Sequence, residues 1–151
     1  MAMIRKYLTK LLDWNNNPRR KPLMVWGARQ VGKTYLIKDL FADVYYPGHY
    51  LRIDCSSDSS FTKYAHENAD LEKILKFISV NYDIQVGKDT LLVFDEVQEC
   101  LPVVSLLKQF CELHREIPVI ATGSLVRTRI KRKTTQRGKF AKRDFLFPVG
   151  K

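Results

Sequence analysis

Apolar and polar positions follow two different spacings along this chain, and each spacing predicts one type of element. Short apolar runs that suit buried strands occur at 23–26, 90–94 and 117–122, and the mixed stretch 49–54 predicts a further strand. Apolar residues three or four positions apart, which predict helices with one buried face, occur over 3–14, 35–41, 71–82 and 102–114. Strands that alternate with helices are typical of an α/β protein with a mainly parallel sheet.

The segments between these elements carry residues that end or begin helices. The run Asn15-Asn16-Asn17-Pro18 ends the first helix, because the residue before a proline avoids the helical region. Pro102 suits the first turn of the last predicted helix. The serine-rich loop at 56–60 offers Ser60 or a neighbour as a helix cap. The three adjacent cations at 19–21 predict a solvated connector that leads into the first strand.

The first strand and the helix after it enclose a turn with the spacing G-x-x-x-x-G-K-[ST], which is that of a phosphate-binding P-loop. Backbone N–H groups and a helix N-terminus favour a bound anion there. Lys33 can reach the β- and γ-phosphates, and the Thr34 hydroxyl can bind Mg²⁺. The strand and helix on either side argue against a simple turn with a surface lysine. We predict nucleotide contacts from Gly27, Ala28, Arg29, Gln30, Val31, Gly32, Lys33, Thr34 and Tyr35.

The strand at 90–94 ends in two carboxylates, which is the Walker B pattern. Open α/β sheets bind ligands at the carboxyl ends of their strands. Asp95 is therefore predicted to hold Mg²⁺ opposite Thr34, and Glu96 to polarise the attacking water as a general base. The alternative is a strand that happens to end in a polar turn, and the P-loop about 60 residues earlier disfavours it.

Hydroxyl residues end the strand at 117–122. A threonine or serine here, Thr122 or Ser124, can sense the γ-phosphate. We predict Glu96, Lys33 and Ser124 as the catalytic residues. Capping of a following helix explains the same residues equally well, so both interpretations stay open.

Composition excludes several classes of protein. Apolar residues make up 45% and charged residues 28% of the chain, as in soluble globular proteins. No apolar run approaches the ~18 residues of a membrane helix, and no signal-peptide core is visible, so we expect a cytoplasmic protein. Cys55, Cys100 and Cys111 lack C-x-x-C spacing, which predicts reduced thiols. His49 and His66 have no spaced partners, which favours surface roles over metal binding.

The excess positive charge is concentrated near the C-terminal end. The formal net charge is +10, but residues 127–144 alone hold nine basic residues and one acidic residue. The rest of the 151-residue chain, with 17 basic and 15 acidic residues, is almost neutral. We therefore predict a P-loop ATPase core at 1–126, followed at 127–151 by a basic loop and the start of a truncated strand.

Three motifs together resemble the AAA-type ATPases of bacteria and archaea, in which a C-terminal region of unknown function follows the ATPase domain. They are Gly27–Thr34, Leu92-Val-Phe-Asp-Glu-Val-Gln98 and Val119-Ile-Ala-Thr-Gly-Ser124. The resemblance implies a three-layer α/β/α P-loop NTPase with sheet order 5-1-4-3-2, here with its fifth strand missing or incomplete. It also implies ATP and Mg²⁺ at Lys33, Thr34, Asp95 and Glu96, with Thr122 or Ser124 as the sensor.

The resemblance further implies parts that would follow these 151 residues, including a helical lid and a C-terminal domain. Those parts would supply contacts to adenine, a second sensor and an arginine finger from a neighbouring subunit. An arginine finger contributes about 10³-fold or more to turnover. We therefore expect an ATPase in the full-length protein and weak or no hydrolysis by this fragment.

Two functions follow from these observations. The first is an ATP-binding domain that uses Mg·ATP to drive or signal a conformational change to a C-terminal region, either alone or as a homo-oligomer. The second is a nucleic-acid-associated module whose basic segment at 127–143 binds phosphate backbones while nucleotide regulates it. A third interpretation of the basic segment itself is a solvated loop that orders against further parts of the protein.

The second function predicts DNA binding that is non-specific and strongly dependent on salt, because counterion release would supply most of its free energy. Affinity for duplex DNA should fall steeply between low and physiological salt in a fluorescence-anisotropy titration. Deletion of residues 127–143 should abolish it. An absence of binding at low salt would eliminate this function.

Overall fold

The computed structural model describes residues 2–27, 32–124 and 145–148, which form a mixed α/β domain. Six α-helices are defined in these ranges: α1 (Ala2–Asn16), α2 (Lys33–Tyr35), α3 (Asp43–Tyr45), α4 (Ser59–Glu67), α5 (Leu71–Asn81) and α6 (Pro102–Leu113). The strands are β1 (Leu23–Trp26), β2 (Tyr50–Asp54), β3 (Leu91–Asp95), β4 (Val119–Gly123) and β5 (Phe145–Pro148). Each predicted element therefore exists, and its ends lie within four residues of the predicted ones.

The sheet has the order β2-β3-β4-β1-β5. β1, β4, β3 and β2 are parallel, with β4 between β1 and β3. This confirms the mainly parallel sheet and its 1-4-3-2 order. The pairings place Trp26 beside Gly123, and Asp54 beside Asp95. Consequently the carboxyl ends of the parallel strands lie at one edge of the sheet.

Residues 145–148 lie on the other side of β1 and run antiparallel to it. They cover the edge of β1 that would otherwise be open. The fifth strand of the family order stays a prediction, because this short strand has the opposite direction to its four neighbours. The predicted basic loop at 127–143 lies outside the described residues.

Two separate apolar cores pack on opposite faces of the sheet, because alternate residues of a strand point to opposite sides. On one face Leu92 and Phe94 pack with residues of α4, α5 and α6. On the other face Leu91 and Val93 pack with α1 and the helix after β1. Each parallel strand contributes to both cores, so the structure confirms the three-layer α/β/α arrangement.

The helix after β1 runs over 33–45 and is longer than the predicted 35–41. It consists of α2, a π-helical segment (Leu36–Ala42) and α3. We call the whole of 33–45 the P-loop helix. Gly32 begins it with φ +89°, a conformation that side chains rarely tolerate, and its carbonyl accepts from the Leu36 N–H at 2.9 Å. Glycine is therefore required at this position, as the motif predicts.

Aspartates begin the two helices between β2 and β3. The Asp58 carboxylate accepts from the Phe61 N–H at 3.1 Å, and Asp70 does the same for Lys73. These are N-caps, each worth about 1 kcal/mol. The sequence pattern missed α4 as a separate helix, because nine residues give too few turns for a clear periodicity. The cap of α4 is Asp58 rather than Ser60.

Arg20 corrects the prediction of a solvated connector at 19–21. Its guanidinium lies over the Trp14 ring, 5.7 Å from the centroid, and donates to the carbonyl oxygens of Asn15 and Glu116. Trp14 in turn donates from Nε1 to the Lys21 carbonyl. Arg20 is therefore a partly buried contact between α1 and the loop that follows α6.

Among the helices that the structure describes, none has the length and apolar character needed to cross a bilayer. The three cysteines are free and buried. Cys55 and Cys100 lie together in the core on the α4–α6 face, and a hydrogen bond between their thiols lowers the pKa of Cys100.

We predict that Gly123→Ala destabilises the domain by about 1–3 kcal/mol, the usual cost of overpacking a well-filled site. A Cβ at this position would lie 2.5 Å from Cζ3 of Trp26. Urea unfolding measures the change. Gly87→Ala is the matched control, because nothing lies within 4 Å of its Cβ position. Equal stability of the two variants would contradict the close packing of β1 against β4.

Candidate functional site

The predicted site residues meet at the carboxyl ends of β1, β4 and β3. Gly27 follows β1, and its N–H donates to the Gly123 carbonyl at 3.2 Å. Asp95 ends β3, and Ser124 follows β4. Because these three strands are adjacent and parallel, their ends form one continuous edge, where α/β sheets of this kind bind ligands.

Lys33 joins the start of the P-loop helix to the end of β4. Its ammonium Nζ donates to the Gly27 carbonyl at 3.0 Å, the Gly123 carbonyl at 3.3 Å and Ser124 Oγ at 2.9 Å. The side chain therefore reaches the edge of the sheet, which is the position its predicted role requires. The ends of β1 and β4 both contribute acceptors to it.

The other predicted nucleotide contacts divide into two groups. Ala28, Arg29, Gln30 and Val31 lie outside the described residues. Thr34 and Tyr35 occupy the first turn of the P-loop helix and are exposed, Tyr35 to 48%. The Thr34 hydroxyl, predicted to bind Mg²⁺, is thus on a turn that solvent reaches.

Asp95 is buried, and both of its carboxylate oxygens have partners. Thr122 Oγ1 donates to Oδ1 at 2.6 Å, and Arg52 Nε donates to Oδ2. Arg52 also lies 3.6 Å from an oxygen of Asp54, measured from Nη2. The predicted metal ligand is therefore held by β4 on one side and neutralised by β2 on the other.

Glu96 has a backbone conformation that is rare for a residue with a side chain, φ 57° and ψ 53°. Such left-handed residues cost about 1–3 kcal/mol and cluster at functional sites. Its N–H donates to Thr122 Oγ1 at 3.1 Å, and Gln98 Nε2 donates to its Oε1 at 2.7 Å. The predicted general base is thus fixed in direction by contacts from two sides.

Gln98 links Glu96 to the end of β4. Its Oε1 accepts from the Ser124 N–H at 3.2 Å, while its Nε2 donates to Glu96. The Ser124 hydroxyl also lies 3.5 Å from Glu96 Oε2 and accepts from Lys33. A chain of hydrogen bonds therefore runs from Lys33 through Ser124 and Gln98 to Glu96.

The two hydroxyl residues at the end of β4 make different contacts. Thr122 is 1% exposed and joins Asp95 to the Glu96 backbone. Ser124 contacts Lys33 and the Gln98–Glu96 pair. Of the two, Ser124 is the one in contact with the lysine predicted to hold the γ-phosphate. Whether it also caps a following helix concerns residues 125–144, which lie outside the described ranges.

Sequence reasoning missed Arg52 and Gln98. Arg52 is 43 residues from Asp95, and only the parallel register of β2 and β3 brings the two together. Gln98 lies within the strand-end motif, but its role depends on the turn at Val97–Glu99, which directs its amide back to Glu96. A polar residue two positions after the carboxylates was the available signal.

The described side chains include no cluster of three or more His, Cys, Asp or Glu residues that could hold a metal ion. His49 and His66 are exposed.

The sheet order, the lysine at the sheet edge and the paired carboxylates define a domain of the P-loop NTPase class. A family model described as "AAA domain" matches residues 19–148. The chain therefore belongs to the AAA domain family and is a nucleotide-binding domain of the ATPase type. No curated protein matches the chain.

Two solved structures are similar in fold. PCH-2 of C. elegans superposes with a TM-score of 0.51 at 18% sequence identity, over 87% of this chain and 41% of that one. A DnaC helicase loader gives a TM-score of 0.47 at 19% identity, over 89% of this chain and 77% of that one. At such identities the likeness to PCH-2 concerns the fold alone, and this chain spans less than half of the PCH-2 chain.

We predict that Thr122→Val destabilises the domain by about 1–3 kcal/mol, because valine keeps the shape but leaves Asp95 Oδ1 and the Glu96 N–H without their partner. Chemical denaturation measures the loss. Thr122→Ser keeps the hydroxyl and should cost less, about 1 kcal/mol for the missing methyl group. A valine variant as stable as the wild type would show that the hydroxyl contributes nothing to the site.

Proposed function

We propose that this domain binds ATP with Mg²⁺ at the edge of the sheet formed by β1, β4 and β3, and that it hydrolyses ATP in the full-length protein. The observation that carries the proposal is the hydrogen-bonded chain from Lys33 through Ser124 and Gln98 to Glu96. It links the predicted phosphate-binding lysine to the predicted base. The AAA family supports nucleotide as the ligand.

Residues 27–35 would surround the phosphates, with Lys33 on the β- and γ-phosphates. The N–H groups that open the P-loop helix have no carbonyl partner earlier in that helix, which suits an anion. Gly32 allows the turn that brings the chain into the helix. The carbonyl oxygens of Gly27 and Gly123 accept from the Lys33 ammonium and hold it at the same edge of the sheet.

The donor set fits magnesium, which prefers oxygen ligands and usually keeps waters and substrate phosphates around it. Asp95 and Thr34 would hold the ion, Asp95 from the end of β3 and Thr34 from the P-loop helix. When bound, the ion neutralises charge that develops on the phosphate oxygens. Thr122 contributes by fixing the orientation of the Asp95 carboxylate.

Glu96 would act as the general base that orients and polarises the attacking water. Its carboxylate is oriented by Gln98, and its backbone is held in the left-handed region by the contact with Thr122. A positioned base of this kind contributes about 10²–10⁴-fold to a rate. Ser124 would be the third catalytic residue, beside Lys33 and Glu96, and would sense the γ-phosphate.

Lys33 also offers a route for a conformational signal. Its ammonium contacts the end of β4, and a γ-phosphate would compete with Ser124 for that ammonium. A shift of Lys33 toward phosphate would then release the end of β4 and alter the chain that follows it. This is how nucleotide could drive a change in a C-terminal region or in a neighbouring copy within a homo-oligomer.

Nucleic-acid binding through 127–143 receives no support from the described part of the chain, which excludes that segment.

We predict that Mg·ATP binds saturably to the wild-type protein in isothermal titration calorimetry. Lys33→Ala should abolish binding or weaken it at least about 100-fold, because the attraction between the Lys33 ammonium and the phosphates is lost. Lys38→Ala is the matched control. Lys38 lies on the same helix, but it is exposed and pairs with Asp43, so its loss should leave affinity unchanged.

Unfolding curves of the three proteins test that each is folded. A folded wild type that binds no Mg·ATP would contradict the proposed function. Equal losses in the two lysine variants would instead assign the effect to net charge rather than to the position of Lys33.

A further inference from the structure

Arg52 has no role in the predicted site, but it pairs with Asp95, the predicted metal ligand. Arg52 Nε donates to Asp95 Oδ2, and Arg52 Nη2 lies 3.6 Å from Asp54 Oδ2. The Asp95 side chain is 6% exposed and the Arg52 side chain 37%. One end of the pair is thus buried at the sheet edge, and the other reaches solvent.

The register of β2 and β3 explains why these side chains meet. Arg52 is opposite Val93, and Asp54 is opposite Asp95. Alternate positions share a face of the sheet, so Arg52, Asp54 and Asp95 lie on the face where Val93 packs. Val93 belongs to the core that contains Leu36 and Ile37 of the P-loop helix. Arg52 is therefore on the nucleotide side of β2.

The charge of Asp95 is already compensated within the chain. A buried carboxylate without a cation is costly, because it has left water without gaining an opposite charge. Here Arg52 supplies the positive charge, and Thr122 supplies a hydrogen bond to the other oxygen. A divalent cation arriving alone would meet a neutralised carboxylate and a guanidinium that repels it.

We propose that Arg52 is the resident counter-cation of Asp95 and makes Mg²⁺ uptake at this carboxylate conditional on nucleotide. Nucleotide phosphates bring the negative charge that attracts the metal and offsets the repulsion from Arg52. Asp54 gives the guanidinium a second partner that is 26% exposed. Arg52 can thus transfer from Asp95 to Asp54 when the metal arrives. The inference rests on the proposed function, which identifies the ligand that accompanies the metal as a nucleotide.

The test measures metal binding in the absence of nucleotide. Mn²⁺, which has a paramagnetic signal when free, replaces Mg²⁺, and bound and free ion are separated by electron paramagnetic resonance. We expect the wild type to bind Mn²⁺ weakly at Asp95. Arg52→Gln should bind it about tenfold more tightly or better, because one positive charge beside the carboxylate has been removed.

Two controls identify the site and the cause. Arg115→Gln removes the same charge from a residue whose contacts are with Cys111, and it should leave Mn²⁺ affinity unchanged. Arg52→Gln combined with Asp95→Asn should lose the gained binding. Thermal unfolding provides a second readout: Mg²⁺ alone should raise the melting temperature of Arg52→Gln and leave that of the wild type unchanged.

The proposal is overturned if folded Arg52→Gln binds Mn²⁺ no better than the wild type, or if the gain survives the loss of Asp95. Either result would make Arg52 a purely structural partner. The Mn²⁺ titration and the melting temperatures with Mg²⁺ need no nucleotide. A failure of ATP to bind would therefore count against the proposed function, while the role of Arg52 could still be tested.

A second variant keeps the test decisive if Arg52→Gln does not fold. Asp54→Asn removes the charge of the alternative partner while its side chain can still accept from the Ser56 N–H, as Asp54 does at 3.0 Å. Arg52 should then stay on Asp95, so that Mg²⁺ strengthens ATP binding about threefold less than in the wild type, measured against ATP with EDTA. An unchanged magnesium effect would contradict the transfer of Arg52.

Discussion

Parallel pairing of β1, β4 and β3 is the constraint on which the site depends. Three strands that run in one direction must end at one edge, and each of them ends in a residue that can contact a phosphate, a metal or a water molecule. Lys33 reaches the same edge from the P-loop helix and binds carbonyl oxygens at the ends of β1 and β4. The sheet therefore brings Lys33, Asp95 and Ser124 to one edge.

The polar groups at this edge satisfy one another. Thr122 holds Asp95 and the Glu96 backbone, Gln98 holds the Glu96 side chain, and Arg52 compensates the charge of Asp95. Buried polar networks of this kind are costly when one member is missing and rigid when complete. The left-handed conformation of Glu96 costs free energy and needs a surrounding structure to maintain it. The complete hydrogen-bond network around Glu96 provides that structure.

Membership of the AAA domain family establishes a nucleotide-binding, ATPase-type domain, and the similarity to PCH-2 extends to fold alone. A shared fold supports many functions, so the chemistry must be argued from the side chains at the site. In this chain that argument rests on the contacts that residues at the end of β4 make with Lys33, with Asp95 and with Glu96.

The sequence by itself determined the class of fold, because two apolar spacings distinguish strands from helices and the order of elements requires a parallel sheet. It also predicted Lys33, at the start of the P-loop helix, and Asp95 and Glu96, at the end of β3, as site residues, because their spacing is typical of a known chemistry. Only the tertiary structure decided the partners of those residues. Arg52 meets Asp95 through a strand register, and Gln98 turns back to Glu96 through a short 3₁₀ turn. Contacts between residues far apart in the chain depend on register and turn geometry, which local spacing does not encode.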